Sequence, residues 1–220
     1  VPVDEITDIG LDRSLIGGYG HDDRVCAYSE LLALLDTPNP EKTAVCLLVD
    51  KEEIGSEGTT GMLAQAFDRF MDDLCQSQGV NLHECYAHSF CFSADVCNAF
   101  DPNFPEVSEK RNNCKLNYGV GIMKFTGPRG KSGSNDAPAE VVGKVRKLLD
   151  GAGVVWQMGE LGKVDQRGGG TVAKYTAQRD IDTIDAGVPV LSMHAPFEVI
   201  SKADLYMTYA AVKALYGEKA

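Results

Sequence analysis

Three apolar runs of the chain are each followed within a few residues by carboxylates or an imidazole. The runs and the groups that follow them are residues 44–49 with Glu52 and Glu53, residues 89–94 with Asp95, and residues 188–193 with His194. In open α/β sheets, functional groups gather just beyond the carboxyl ends of strands. Imidazole nitrogen and carboxylate oxygen are both suitable zinc ligands. The pattern therefore predicts a metal site built from distant parts of the chain.

The adjacent glutamates Glu52 and Glu53 add a second chemical function. Neighbouring side chains in a regular strand point to opposite faces, so both can reach one site only from a turn beyond the strand end. Gly55 and Ser56 favour such a turn. One glutamate can then bind a metal ion while the other moves a proton. Two metal ions about 3.5–4 Å apart can activate a water and hold a reacting carbonyl.

Each of these residues also has an ordinary structural explanation. Asp22 opens a predicted helix, where Asp is a preferred N-cap. The two glutamates can form a solvated acidic turn, and Asp95 can cap the segment that follows it. His194 can be a hydrogen-bonded turn residue. The joint placement of all these groups favours the metal site over the separate explanations.

Two further features are candidates for substrate binding. Gly169 and Gly170 belong to a run of three glycines that lacks the lysine of a phosphate-binding loop. Their backbone N–H groups can line a substrate cleft, and a flexible turn is the alternative. Lys124 ends a predicted strand and can place a cation against an acidic substrate side chain. An exposed edge lysine is the alternative for that residue.

The elements that would position these groups alternate along the chain. Apolar positions at helical spacing predict helices near residues 22–36, 59–75, 137–149 and 202–216. Apolar runs predict strands at residues 44–49, 89–94, 118–125, 153–158 and 188–193. Residues 1–20 are predicted to be an incoming linker and a loop. The alternation predicts an α/β fold of three layers, with a mainly parallel mixed central sheet flanked by helices.

Composition limits the classes of function. A chain of 220 residues with a net charge of −11 favours neither nucleic acid nor an anionic membrane surface as a partner. The longest apolar run is too short to cross a bilayer. Seven cysteines without a CxxC pair do not resemble a disulfide framework or a zinc ribbon, so a reducing cytoplasm is expected.

Four motifs in order resemble the aspartyl aminopeptidase / vacuolar aminopeptidase I family. They are Gly-Tyr-Gly-His-Asp-Asp-Arg-Val-Cys at 18–26, Leu-Val-Asp-Lys-Glu-Glu-Ile-Gly-Ser at 48–56, Ser-Ala-Asp at 93–95 and Ser-Met-His at 192–194. One such motif alone would be weak, whereas four in this order and approximate spacing are specific. The resemblance covers nearly the whole chain.

The resemblance implies a role for each matched residue. Asp22 matches the aspartate that bridges two zinc ions, and Glu52 matches the general base. Glu53 and His194 match further ligands of one ion, and Asp95 matches a ligand of the other. It also implies a zinc-peptidase fold, peptide substrates cut at their N-terminus, and a homo-oligomer that is a dodecamer in the family.

One departure from the family concerns length. Family members are about twice as long, and no residue here matches their first metal ligand, an N-terminal histidine. The chain, which begins Val-Pro-Val, is therefore expected to be a fragment. Residues 1–20 would link it to a missing N-terminal and dimerisation region, and residues 21–220 would be the C-terminal part of the catalytic domain. Such a fragment is expected to bind at most one zinc ion tightly and to have little or no activity. An exposed sheet edge or apolar surface is expected to favour self-association or poor solubility.

Two other functions stay open at the level of sequence. A non-catalytic α/β module of the same fold would bind partners or ions without turnover. Another two-metal hydrolase, such as a deacylase or carboxypeptidase, would share the fold and differ in the peptide end it prefers. Zinc content and hydrolysis of aminoacyl substrates distinguish these classes from an aminopeptidase.

Overall fold

The computed structural model describes residues 2–3, 5–130 and 132–219, and six α-helices lie within them. The helices are α1 His21–Leu35, α2 Ala66–Ser77, α3 Leu82–Ala87, α4 Ala139–Gly151, α5 Ala173–Ala177 and α6 Lys202–Tyr216. The helices predicted near 22–36, 137–149 and 202–216 are confirmed as α1, α4 and α6. The helix predicted over 59–75 is shorter than expected, because turns occupy the residues before Ala66.

The strands form two larger sheets and a small hairpin. They are β1 Thr7–Ile9, β2 Leu15–Gly18, β3 Phe90–Ala94, β4 Cys97–Asn98, β5 Val120–Met123, β6 Phe125–Thr126, β7 Asn135–Asp136, β8 Trp156–Met158, β9 Asp182–Gly187, β10 Pro189–Leu191 and β11 Glu198–Ser201. The sheet orders are β1-β2-β11-β10-β4 and β3-β9-β5-β8, and β6 pairs with β7. The pairs β3/β9, β5/β8 and β4/β10 are parallel, and the remaining strand pairs are antiparallel. The predicted α/β class is confirmed.

The same two chain segments run side by side through both larger sheets. Only Val188 separates β9 from β10, and only Asp95 and Val96 separate β3 from β4. Asp95 therefore lies where the chain changes sheet, beyond the carboxyl end of β3. Gly187 is required opposite this point, because a Cβ atom there would overlap the carbonyl oxygen of Asp95.

Alternating side chains of the β3-β9-β5-β8 sheet pack against different helix layers. Phe92 and Ile184 contact α1, α4 and α6 in a buried cluster. Cys91, on the opposite face of β3, packs with Met71 of α2 and Tyr86 of α3. The sheet is thus covered on both faces, and burial of a side chain such as Ile184 contributes roughly 1.5–3 kcal/mol.

Two predictions of local structure were wrong. Residues 44–49 form no strand, and within the described chain no backbone hydrogen bond joins them to another segment. A strand needs a partner, and an apolar run without one stays in coil, with Leu48 53% exposed. Residues 7–18, predicted within a linker and loop, instead form β1 and β2, because β2 pairs with β11.

No helix in the described part of the chain is long and apolar enough to cross a membrane. All seven cysteines are free thiols.

Candidate metal centre

Three side chains from distant parts of the chain converge on one point. Ligand atoms of Asp22, Glu53 and His194 all lie within 4.8 Å of one another. The Nε2 atom of His194 is 2.9 Å from Oδ2 of Asp22 and 3.1 Å from Oε1 of Glu53. Two ligand atoms on a tetrahedral zinc ion with bonds of about 2.0 Å lie about 3.3 Å apart. The chemistry and spacing of this set therefore fit a zinc ion.

A second group of carboxylates shares Asp22. Oxygen atoms of Asp22, Asp23 and Asp95 also lie within 4.8 Å of one another. Burial raises the pKa of Asp95 well above its usual range, and the neighbouring Asp23 raises it further. Burial likewise raises the pKa of Asp23, whose Oδ1 atom is buried without a hydrogen-bond partner. This group of oxygens also has the chemistry of a cation site, with Asp22 positioned between the two groups.

The start of α1 explains how Asp22 and Asp23 reach this position. Both have non-helical backbone angles, so the regular helix begins only after them. The N-cap of α1 is Gly20, and no side chain caps the helix by a hydrogen bond. Asp22 is therefore not a cap, and its carboxylate faces His194, while the Asp23 carboxylate lies near that of Asp95.

A tight turn presents the two glutamates. Glu52 and Glu53 begin a 3-10 turn that Lys51 and Gly55 flank in left-handed conformations. The Ser56 N–H donates to the Lys51 carbonyl oxygen at 2.7 Å and closes the turn. The hydroxyl of Tyr175 in α5 donates to the carbonyl oxygen of Gly55 at 3.1 Å. The predicted turn at residues 55–56 is present, and it lets neighbouring side chains serve one site.

Glu198 joins the backbones that carry two of the candidate ligands. It is 2% exposed, and its Oε2 atom accepts the N–H of Asp22 at 3.0 Å while Oε1 accepts the N–H of His194 at 2.8 Å. His194 has a left-handed φ of 67°. Such conformations persist at functional sites where surrounding contacts determine them. The carboxylate of Glu198 is one such contact, because it accepts the backbone N–H of His194.

The proton affinities in the centre are shifted. Burial raises the pKa of Asp22 to about 6, with a further increase from Glu53 and a decrease from His194. Burial also raises the pKa of Glu52 to about 7, and the negative charges of Glu53 and Asp22 act in the same direction. A carboxylate with a pKa near neutrality can both accept and return a proton.

The candidate substrate residues have different surroundings. Lys124 forms an ion pair with Asp136, and both side chains are exposed, so its ammonium group already has a partner. Gly170 approaches the carbonyl oxygen of Gly133 so closely that a Cβ atom would lie 2.6 Å from it. Gly169 borders open space. Their part in substrate binding stays a prediction.

Asp185 in β9 holds the loop of three glycines by a hydrogen bond from Thr171. Its carboxylate is fully buried in β9 and accepts hydrogen bonds from the hydroxyls of Thr171, Thr126 and Ser93. The side-chain amide of Asn135 also donates to it, at 3.5 Å. Thr171 directly follows the glycines, so this network fixes the loop to the sheet beside the centre.

Sequence reasoning missed Asp23, Asp185 and Glu198. Asp23 is a member of the motif at 18–26, in which only its neighbour Asp22 matches a ligand. The other two lie in β9 and β11, strands that apolar runs did not indicate. The one available signal was charge within a segment bounded by apolar residues, as in Asp-Thr-Ile-Asp-Ala-Gly at 182–187.

Carboxylates and an imidazole that converge from several elements of a mixed α/β fold define a candidate metal-binding protein. The family model of the aminopeptidase I zinc metalloproteases, peptidase family M18, matches residues 1–216. The chain belongs to this family, as the four motifs indicated.

Curated relatives agree with the family model. The chain is 48% identical over 220 residues to a probable M18 family aminopeptidase 1 of Thermotoga maritima. The match covers 98% of this chain and 49% of that protein. It is 32% identical over 218 residues to vacuolar aminopeptidase 1 of Saccharomyces cerevisiae, covering 89% of this chain and 41% of that protein. The chain thus spans about half the length of the curated relatives it matches.

Solved structures show the same fold. The crystal structure of the M18 aminopeptidase of Thermotoga maritima superposes with a TM-score of 0.95 at 47% identity, covering 100% of this chain and 50% of that one. The mApe1 dodecamer of Saccharomyces cerevisiae superposes with a TM-score of 0.78 at 25% identity, covering 97% and 48%. The fold of this chain is therefore that of half of an M18 aminopeptidase.

Proposed function

We propose that the whole protein is a metallo-aminopeptidase that releases N-terminal amino acids from peptides, with two zinc ions and a glutamate base. The observation that carries this proposal is the convergence of Asp22, Glu53 and His194 within 4.8 Å in a chain of the M18 family. Family membership supports zinc as the metal. The number of ions and the role of each residue are part of the proposal.

The ligands divide into two sets that share one aspartate. Asp22, Glu53 and His194 would hold one ion, and Asp22 with Asp95 would hold the other beside Asp23. Zinc bound there would polarise the scissile carbonyl and activate a water molecule. Glu198 would hold the backbones of Asp22 and His194 at the distance that zinc binding requires.

Glu52 is the proposed general base. Its neighbour Glu53 contacts His194, whereas Glu52 is half-buried, and burial with the charges of Glu53 and Asp22 raises its pKa to about 7. The Glu52 carboxylate would accept the proton of the attacking water and then donate it to the leaving amine. A glutamine at this position would keep the shape of the side chain and lose the proton transfer.

The chain by itself is proposed to be less than the active enzyme. We assign Asp22 and Asp95 to the second ion and Asp23 to a place beside it, so that ion has two proposed ligands against three for the first. We therefore expect one tightly bound zinc ion and little turnover. β1 and β2 pair with β11 through β2, so residues 7–18 would belong to the catalytic domain together with residues 21–220. A homo-oligomer is supported by the relative solved as a dodecamer. The free thiols fit a reducing cytoplasm.

The test uses two preparations. In the first, zinc bound to the purified chain is counted by elemental analysis, and about one ion per chain is expected. In the second, the chain is co-expressed with the half of the Thermotoga maritima relative that lies outside the match, and hydrolysis of aminoacyl p-nitroanilides is measured. Glu52→Gln should abolish hydrolysis and leave the zinc content unchanged.

Other results would reject parts of the proposal. Absence of zinc from both preparations would contradict the proposed metal centre. Robust turnover with two zinc ions in the isolated chain would contradict its incompleteness. Cleavage from the carboxyl end of peptides, or of acylated amino acids alone, would assign the site to a carboxypeptidase or a deacylase.

A further inference from the structure

The turn that presents Glu52 and Glu53, residues 51–56, has little to hold it besides its own backbone; we call it the glutamate turn. No side chain of its 3-10 segment is buried, and Ile54 is 71% exposed. Among the described residues, its backbone hydrogen bonds all lie within residues 51–63. A segment that buries so few side chains opens locally at a low cost in free energy. It therefore needs an attachment to another part of the fold to present carboxylates at fixed positions.

The hydroxyl of Tyr175 supplies that attachment. It donates to the carbonyl oxygen of Gly55 at 3.1 Å and so joins the glutamate turn to a residue 120 positions away in the sequence. In the described part of the chain, the other hydrogen bonds and ion pairs between this turn and distant segments come from the Glu53 side chain, which contacts Asp22 and His194 inside the metal centre. Tyr175 is thus the contact that holds the turn from outside the centre.

Tyr175 is itself fixed by its neighbours. The residue is 8% exposed, and the ammonium group of Lys174 lies 4.6 Å from the centre of its ring. Its backbone carbonyl oxygen accepts a hydrogen bond from Nη1 of Arg179 at 2.7 Å. The same guanidinium donates to Asp68 of α2 through Nε and Nη2 at 2.6 and 2.7 Å. The ring therefore offers its hydroxyl from a fixed place, which is what a positioning contact requires.

The helix that carries Tyr175 is also attached to the sheet. Thr171, just before α5, donates a hydrogen bond to Asp185 of β9. Within α5, the hydroxyl of Thr176 accepts a hydrogen bond from the Thr183 hydroxyl of β9 at 3.1 Å. The position of the glutamate turn relative to the sheet is therefore set through α5.

We infer that Tyr175 is a positioning residue, which holds the carboxylates of Glu52 and Glu53 at the metal centre through its hydrogen bond to Gly55. The hydroxyl acts on the backbone of the glutamate turn and not on a ligand atom. Residues that orient metal ligands in this way typically contribute 10–100-fold to metal affinity. The effect on zinc binding rests on the proposed function, whereas the effect on the order of the turn does not depend on it.

A matched pair of variants tests the effect on zinc. Tyr175→Phe removes the hydroxyl and keeps the ring. Tyr86→Phe is the control, because Tyr86 is 4% exposed and its hydroxyl donates to Asp68 of α2 at 2.8 Å. In competition with a chromophoric chelator, Tyr175→Phe should weaken zinc binding roughly 10-fold, and Tyr86→Phe should change it less than about 2-fold. Urea unfolding without zinc should show that both variants fold and lose similar stability, since each lacks one buried hydroxyl hydrogen bond.

Amide hydrogen exchange tests the order of the glutamate turn in the absence of zinc. The N–H groups of Gly55 and Ser56 donate to the carbonyl oxygens of Glu52 and Lys51 at 2.9 and 2.7 Å and close the turn. In Tyr175→Phe these two amides should exchange roughly 3–10-fold faster than in the wild type, which corresponds to one lost hydrogen bond. In Tyr86→Phe they should stay within about 2-fold of the wild-type rate.

The two measurements separate the possible failures. Equal zinc affinities of the two variants would overturn the inference, as would wild-type exchange rates at Gly55 and Ser56 in Tyr175→Phe. A wild-type chain that binds no zinc would reject the metal centre of the proposed function. In that case, faster exchange in Tyr175→Phe alone would still support the role of Tyr175 in holding the glutamate turn, and equal exchange in both variants would overturn it.

Discussion

The Nε2 atom of His194 lies 2.9 Å from Oδ2 of Asp22, although the two residues come from opposite ends of the chain. Asp22 precedes the regular part of α1, and His194 follows β10 in a left-handed conformation. The contact exists because Glu198 accepts an N–H bond from each residue. A single buried carboxylate therefore fixes the distance between two proposed zinc ligands.

Replacement of His194 should remove the stabilisation that zinc provides. A ligand at 100 times its dissociation constant stabilises the folded state by about 2.7 kcal/mol. The wild-type chain should therefore melt at a higher temperature with zinc than with a chelator, and His194→Ala should show little difference. His83→Ala, an exposed histidine in α3, is the control and should respond like the wild type. An equal zinc response in His194→Ala would contradict the proposed ligand set.

Glu198→Gln should weaken zinc binding without changing any ligand. The glutamine amide would place N–H donors against the N–H of Asp22 or of His194, so one backbone would shift. Loss of a residue that orients metal ligands typically costs 10–100-fold in metal affinity. Competition with a chromophoric chelator measures this affinity, and Glu140→Gln on the exposed start of α4 is the control. Unchanged zinc affinity in a folded Glu198→Gln chain would exclude the positioning role.

Asp185 should make the chain less stable as the pH rises from about 4 to about 7. Burial raises its folded pKa to about 6, and hydrogen bonds from Thr171, Asn135, Thr126 and Ser93 offset part of that effect. The folded state thus binds a proton more tightly than the unfolded state. This contribution is complete below the unfolded pKa of about 3.9 and is lost as the pH rises through 6, which amounts to about 3 kcal/mol.

Asp185→Asn removes this titration and isolates its effect. Urea unfolding at pH 4.5 and pH 7 should show a smaller loss of unfolding free energy in the variant than in the wild type, by about 1–3 kcal/mol. Asp182→Asn, at the exposed start of the same strand, should retain the wild-type difference. If both variants lose stability with pH as the wild type does, the raised pKa of Asp185 is rejected.

The spacing of apolar residues predicted those helices and strands in which the apolar side chains pack on the core. The helices α1, α4 and α6 and the strands β3, β5 and β10 all carry apolar residues at the spacing of their structure. The ends of two of these strands also located Asp95 and His194. The joint placement of charged groups after apolar runs was therefore informative, because burial and strand direction are both encoded locally.

The other elements and site residues depend on contacts between distant parts of the chain, which the local spacing of apolar residues does not encode. β9 is the strand between β3 and β5, yet it carries Thr183 and Asp185, which face a polar network that only the fold assembles. Glu198 is buried because two distant N–H groups point at it. Residues 43–49 have the composition of a strand and remain coil, because strand formation needs a neighbour as well as a suitable sequence.

The pairing of Asp68 with Arg179 should stabilise the packing of α2 against the segment between α5 and β9. Asp68 accepts hydrogen bonds from Nε and Nη2 of Arg179 at 2.6 and 2.7 Å, and from the Tyr86 hydroxyl at 2.8 Å. The hydrogen bond from Arg179 holds the pKa of Asp68 below its usual range. Its contribution is therefore present above the unfolded pKa of about 3.9 and is lost as the pH falls through the lower folded pKa.

Asp68→Asn should lower the unfolding free energy at pH 7 by about 1–3 kcal/mol, the range for hydrogen bonds between charged groups. The difference from the wild type should shrink as the pH falls below the unfolded pKa of about 3.9, because the folded pKa of Asp68 is lower than that value. Asp73→Asn, exposed on the same helix, is the control and should change the unfolding free energy by less than about 0.5 kcal/mol. Urea unfolding at pH 7 and at pH 3 measures this difference. If Asp68→Asn loses the same unfolding free energy at both pH values, the effect comes from packing and not from the ion pair.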